Sequence, residues 1–363
     1  MLETKRSYQS MVTAPHHLAS QAGLDVLRDG GNAIEAMVAA ASTIAVVYPH
    51  MNGLGGDGFW LIGHPGEKVI AIQACGRSAA IASRDWYAEG GLDAIPSRGP
   101  LSALTVPGTV EGWRLALEVG REQHVGNLPL SRLLHDAIFH ARNGVAVTRT
   151  LNDNTTSKLS ELTDVPGFSD VYLQDAAPLP VGARLRQERV ADTLEHLASS
   201  GLEDFYRGDV ARSIAKEAQA VGSPIRLSDL EAHKAETVAP LSTLVAGHTV
   251  YNMPPPTQGL ASLLLLATYA KIAADDAQDF DFVHRLVEST KAAFRVRDRY
   301  VTDPAHMKRQ AECFLKQAQI AELVKSISLD RAALWPHPSK PSDTVWLAAT
   351  DKNGLCVSFI QSI

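Results

Sequence analysis

The chain has 363 residues, of which 45% are hydrophobic and 20% charged, an ordinary globular mixture with enough apolar material for a large core. Its formal net charge is -6 and it has no long basic run, which argues against nucleic acid or an anionic membrane as partner. The length suits two or three domains or one large layered domain, and the longest apolar runs, such as Leu260 to Ala267, are too short to span a bilayer.

At the N-terminus, Met1 to Tyr8 has no apolar stretch behind its basic residues, so no signal peptide is expected. A cytoplasmic location is the default, or a periplasmic one if a leader has been removed. Residues 17–28 carry Leu18, Ala22, Val26 and Leu27 at helical spacing, and Gly30-Gly31 stops that helix. Asn32 caps a second helix, Ala33 to Val47, ended by Pro49. It is apolar on every side and must be buried in a large protein. A glycine run, Gly53 to Gly58, precedes a hairpin of Phe59 to Ile62 and Val69 to Ile72 with a Pro65-Gly66 turn.

The middle of the chain reads as helices at Gly108 to Val119, Leu130 to Arg142, Glu188 to Ser199 and Val210 to Ala220, with a capping box at Ser228 to Glu231. Residues 238–252 alternate as strands. Pro254 to Gly259 breaks the chain before an apolar helix, Leu260 to Ala273, and an amphipathic one, Phe282 to Tyr300. A proline- and serine-rich linker covers 331–342. Buried helices beside hairpin strands point to sheets covered by helices.

Most candidate sites have a plain structural reading. The glycine run lacks a Gly-Lys-Ser/Thr ending and leads into a hairpin, so it is read as a tight turn rather than a phosphate loop. His16, His17 and His50 lack metal-ligand spacing and are assigned to capping or surface roles. Cys75, Cys313 and Cys356 form neither a disulfide framework nor a zinc site, and read as small buried residues in a reducing compartment. Arg297, Asp298 and Arg299 form a structural ion-pair cluster. No cofactor and no metal are expected.

The last twenty residues are different. Thr344 heads a strand, behind a linker where a cut would disturb little. An Asn353-Gly354 turn then sends a return strand back, bringing Ser358 and Ser362 toward the head of the first. A threonine freed as an N-terminus carries its own base. An α-amino group has a pKa of roughly 7.7–8.0, so part of it is neutral near pH 7 and can accept the hydroxyl proton. A second hydroxyl beside it can orient it and pass a proton. Asp343-Thr344 is therefore a candidate self-cleavage bond with Thr344 as the nucleophile, and Ser358 or Ser362 can supply the second hydroxyl.

Several blocks, in order, resemble the γ-glutamyltransferase family over essentially the whole chain: Ala22 to Ala33, Gly53 to Phe59, Pro107 to Gly112, Phe205 to Gly208, Met253 to Gly259, then Glu288, Lys291, Asp298-Arg299 and Asp303-Pro304. Thr344 falls where that family places its nucleophile, with Asp351, Gly354, Val357 and Ser358 in register. The resemblance implies an α+β fold, the αββα four-layer sandwich of N-terminal-nucleophile hydrolases, incomplete here. It implies that residues 1–343 are the large-subunit region and 344–363 the start of a small subunit that continues past Ile363. It also implies autoproteolysis of a zymogen, two pieces that stay together, and an acyl ester on the threonine passed to water or an amine. Paired oxyanion glycines would lie in the continuation. Such donors are worth about 10²–10³ in rate each, so this stretch alone is expected to be nearly inert.

The chain departs from the family pattern in two places. Cys75 stands where the family has the arginine that clamps a glutamyl α-carboxylate, and Arg77 is the nearest substitute for binding substrate. Val345-Trp346 replaces a threonine-histidine pair after the nucleophile, which implies a narrower or more apolar acyl pocket. The leading expectation is a γ-glutamyltransferase-like amide hydrolase or acyl transferase, cleaving or transferring γ-glutamyl groups as in glutathione metabolism, with Ser362 hydrogen-bonded to the Thr344 nucleophile. The alternatives are a non-glutamyl amidohydrolase acting on oxamate or on cephalosporin or glutaryl amides, and an inactive truncated precursor. The expected partners are a small-molecule amide and the protein's own small subunit, with neither nucleic acid nor membrane.

Overall fold

A computed structural model describes residues 4–123, 126–274, 279–335 and 344–363. The chain has an α+β fold divided into two compact units. The first comprises residues up to 68, 72–236 and the C-terminal stretch to Ile363; the second comprises 69–71 and 237–341.

The first unit is built around a buried helix. Helix α1 is His17–Arg28 and α2 is Ala33–Val47. Every residue of α2 is buried, as its apolar circumference requires. The Asn32 side chain accepts from the amides of Ile34 and Glu35, and Glu35 accepts from the Asn32 amide, so the free donors of the first turn are satisfied reciprocally. Strand β1 is Met11–Thr13, β2 is Gly58–Gly63, β3 is Thr344–Thr350 and β4 is Cys356–Ser362. They lie side by side in the order β1-β3-β4-β2, all neighbours antiparallel. The C-terminal hairpin is thus inserted between two strands from the start of the chain. Helix α2 packs on β3 and β4. Helix α3, Thr109–Gln123, packs on β2.

The second unit holds a hairpin, Leu241–Val245 paired with His248–Asn252, and two packed helices, Gly259–Ile272 and Asp279–Tyr300. Leu260, Leu263, Leu264, Ala293, Phe314 and Ile320 form its core. Glu288 and Lys291 make a buried ion pair at 2.7 Å, and the lysine also donates to the Ala333 carbonyl. Of the expected cluster, Arg297 does pair with Asp298, at 2.7 Å, while the Arg299 guanidinium lies over the Tyr300 ring.

Local expectations met four corrections. Of the cysteines expected to be buried, Cys356 is exposed and Cys75 and Cys313 are half-buried. The single helix expected from Leu130 to Arg142 is split into Leu130–Leu133 and His135–Asn143. Leu133 and Leu134 are both buried although neighbours on a straight helix point about 100° apart, and a turn at Leu134 (φ -91, ψ -4) lies between the two pieces. The capping box lies earlier than Ser228: the helix is Leu227–Ala232, and Asp229 accepts from the Arg226 amide at 2.8 Å and from the Ala80 amide at 2.9 Å. Helix Arg149–Leu162 went unforeseen, because only Leu151 and Thr155 are buried and its polar sequence has no apolar period.

Candidate active site

Alternation decides which way the hairpin β3–β4 presents its residues. Val345, Leu347, Ala349, Val357 and Phe359 are buried on one face, and Thr344, Trp346, Ser358, Ile360 and Ser362 lie on the other. The register sets Thr344 directly opposite Ser362, Trp346 opposite Ile360 and Ala348 opposite Ser358. The Thr344 Oγ1 and Ser362 Oγ atoms are 3.1 Å apart, within hydrogen-bond reach. The two hydroxyls singled out from sequence are therefore brought together. Ser358 is not part of that pair; its Oγ accepts from the Trp346 indole N–H at 2.9 Å, which holds an otherwise 53%-exposed ring along the strand. Asp343, the other half of the expected scission bond, lies outside the described residues.

The turn that fixes this register is wider than the Asn-Gly pair alone. It spans residues 351–355, closed by the Asp351 amide donating to the Leu355 carbonyl, with Gly354 at φ +87. The buried Asp351 carboxylate accepts from the amides of Asn353 and Leu355, and also from Ala33 at the first turn of α2. A carboxylate at a helix N-terminus is well placed against the helix dipole. One side chain thus locks the hairpin to the buried helix.

At the other end the glycine run closes on the chain terminus. A Cβ on Gly56 would sit 1.9 Å from the Ser362 carbonyl oxygen, so only glycine allows this approach. The Gly56 carbonyl accepts from the amides of Gly108 and Thr109 at the start of α3, and the Asp57 carbonyl accepts from the Ser362 amide at 3.1 Å. The tight-turn reading holds, and what it approaches is the backbone beside Ser362. Tyr206 ties two further sequence blocks together: its hydroxyl donates to the Pro107 carbonyl and accepts from the Glu111 amide.

Two polar groups were not foreseen, one buried and one half-buried. Gln361 points inward among apolar residues, and its amide donates to Asn52 Oδ1 at 2.7 Å and to the Ala41 carbonyl, while its oxygen accepts from Thr109. The signal was present in the sequence as a polar residue at an inward position of an alternating strand. Asp57 accepts from the Gly76 amide through Oδ1 at 3.1 Å. Burial pushes its carboxyl up to about 6, against the opposing pull of that hydrogen bond.

Cys75 and Arg77 flank Gly76. Burial and the nearby Asp57 charge push the Cys75 thiol up to about 11, so it stays protonated and poorly nucleophilic. Arg77 is exposed, and its guanidinium makes no hydrogen bond or ion pair among the described residues. Its carbonyl accepts from the Val106 amide, which sets the backbone but not the side chain. His16 caps α1, its Nδ1 accepting from the Leu18 amide, and burial beside His17 and His140 lowers its pKa to about 4. Among the described residues no cluster of histidine, cysteine, aspartate and glutamate could hold a metal.

The family model described as Gamma-glutamyltranspeptidase matches residues 19–363. The oxamate amidohydrolase proenzyme of Klebsiella pneumoniae subsp. pneumoniae is 49% identical over 358 residues, covering 98% of this chain and 67% of that protein. The glutathione hydrolase proenzyme of Escherichia coli is 31% identical over 373 residues, covering 99% of this chain and 63% of that protein. Among solved structures, cephalosporin acylase from Bacillus halodurans matches with a TM-score of 0.88 at 32% identity, over 99% of this chain and 67% of that one. The chain spans about two thirds of the length of these relatives.

Proposed function

The chain belongs to the gamma-glutamyltranspeptidase family, and from that premise we propose that the protein is a self-processing amide hydrolase with Thr344 as nucleophile and amides of small carboxylic acids, oxamate among them, as substrates. The observation that carries this reading is the 3.1 Å approach of the Thr344 and Ser362 hydroxyls at the open end of the hairpin.

In maturation, Thr344 Oγ adds to the Asp343 carbonyl and the Asp343–Thr344 C–N bond breaks. The acyl group is left as an ester on Thr344 and the nitrogen becomes a free amine. Water then hydrolyses the ester. Both pieces stay together because β3 and β4 are hydrogen-bonded to β1 and β2 on either side and bury one face against α2. In turnover, the new α-amine takes the Thr344 hydroxyl proton, with Ser362 holding the oxygen in line. The oxygen adds to the substrate amide, the proton passes to the leaving nitrogen, and ammonia or an amine departs. Water enters by the same proton path and releases the acid.

The reading of the acyl group draws on Arg77 and on the 49%-identical relative named for oxamate. An exposed guanidinium is a ready carboxylate ligand. Cys75, at the position of the family's glutamyl clamp, is neutral and supplies no charge. The relative named glutathione hydrolase supports γ-glutamyl cleavage as the second reading.

The test is a substrate panel on the full-length gene product. Ammonia release from oxamate, together with a new Thr344 N-terminus by mass spectrometry, is the expected result. Turnover of a γ-glutamyl anilide instead would transfer the assignment to the second reading. An intact precursor that hydrolyses none of the panel would overturn both.

A further inference from the structure

We propose that Asp57 is a positioning residue for the substrate carboxylate, holding residues 75–77 in a fixed setting against the Thr344–Ser362 pair. This rests on the reading of Arg77 as the carboxylate ligand. Two hydrogen bonds leave this one residue in different directions. Its main-chain carbonyl accepts from the Ser362 amide at 3.1 Å, and its carboxylate accepts from the Gly76 amide at 3.1 Å. Ser362 carries the hydroxyl that meets the nucleophile, and Gly76 is the residue before Arg77. Asp57 is therefore a two-bond bridge between the reacting hydroxyls and the backbone that presents the guanidinium.

The surroundings leave this bridge little slack. On the hairpin side, a Cβ on Gly56 would meet the Ser362 carbonyl at 1.9 Å. On the other side, a Cβ on Gly76 would meet the Val106 carbonyl at 1.6 Å, and one on Gly108 would meet the Ala74 carbonyl at 2.3 Å. Residues 77–79 also exchange backbone bonds with 104–106. The segment is thus clamped by backbone along one side, and Asp57 reaches it from the glycine run that borders the hairpin. Burial makes the carboxylate costly, yet an apolar residue of similar size would leave the Gly76 amide without this acceptor. A bidentate guanidinium–carboxylate pair depends on such placement, because its two hydrogen bonds are directional.

The experiment compares wild type, Asp57→Asn and Asp57→Ala in the full-length, self-processed protein. Oxamate is the carboxylate-bearing substrate and oxamide its neutral counterpart. Asparagine keeps an oxygen for the Gly76 amide, whereas alanine does not. We expect Asp57→Ala to raise the KM for oxamate about 10-fold or more while kcat and oxamide turnover stay near wild type, and Asp57→Asn to restore the wild-type KM. Hydrogen–deuterium exchange over residues 75–77 is expected to quicken in the alanine variant and not in the asparagine one. Equal loss of kcat on both amides, or an unchanged KM in the alanine variant, overturns the proposal. A wild type that hydrolyses neither amide would bring down the proposed activity, and exchange would still judge the bridge: wild-type protection in Asp57→Ala overturns it.

Discussion

On the inner face of the hairpin β3–β4, Leu347, Val357 and Phe359 are fully buried, and Phe359 lies 4.4 Å from Trp60, centroid to centroid. On the outer face, Thr344 and Trp346 are exposed, and Ser358, Ile360 and Ser362 are half-buried. The two faces share one backbone and one register and differ only by the period-two alternation of a strand. The inner face supplies the burial that holds the hairpin in place. The outer face, relieved of that task, can present two hydroxyls to solvent at hydrogen-bond distance. A shift of register by one residue would exchange the roles and destroy both.

The sharpest way to separate the faces is Thr344→Ala. It removes the proposed outer-face nucleophile and should abolish processing and lower turnover roughly 10⁴-fold or more, with an unchanged melting temperature. Mass spectrometry and ammonia release read the first effect, and a thermal melt reads the second. Phe359→Ala is the inner-face counterpart. It should cost about 3–5 kcal/mol in urea unfolding, whereas Trp346→Ala on the outer face should cost under about 1 kcal/mol. Equal costs for the two would break the comparison. Ser362→Ala leaves the proposed nucleophile but removes the hydroxyl beside it, and is expected to lower kcat about 10²-fold with little change in stability. A normal kcat there would show that the freed amine acts without the second hydroxyl.

A further expected effect is a pH dependence at the junction of the two faces, where the Asp57 carbonyl meets the Ser362 amide. The folded Asp57 carboxyl titrates near 6 and its ordinary value is 3.8, so the folded state holds the extra proton between those values. Stability contributed by this group is therefore greatest below about pH 4 and falls as pH rises to about 6, by about 3 kcal/mol. Asp57→Asn should lack that slope and be the more stable protein at pH 7. Denaturant melts of both proteins from pH 4 to 7 check it, and parallel profiles would contradict the burial cost assigned to this carboxyl.

Much of this was readable from local sequence. The limits of α1 and α2 follow from apolar spacing, Gly30-Gly31 and the Asn32 cap, which are decided within a few residues. The pairing of Thr344 with Ser362 follows from alternation and a glycine-bearing turn, again a local matter. The polar helix Arg149–Leu162 and the turn at Leu134 were not readable, since what each buries depends on its neighbours in space.

The sequence by itself determined the hairpin, its two faces, the buried helix and the chemical identity of the hydroxyl pair. Tertiary structure alone decided what stands behind them. Gln361 reaches Asn52 and Thr109 across separations of 309 and 252 residues, and Asp351 reaches Ala33 across 318. Gly56 makes room for the Ser362 carbonyl, and Asp57 bridges Ser362 to Gly76. Turns, caps and strand alternation are set by atoms within one or two turns of chain, and so leave a pattern in the sequence. A hydrogen bond between residues hundreds of positions apart leaves none, because its partner is chosen only when the chain has packed.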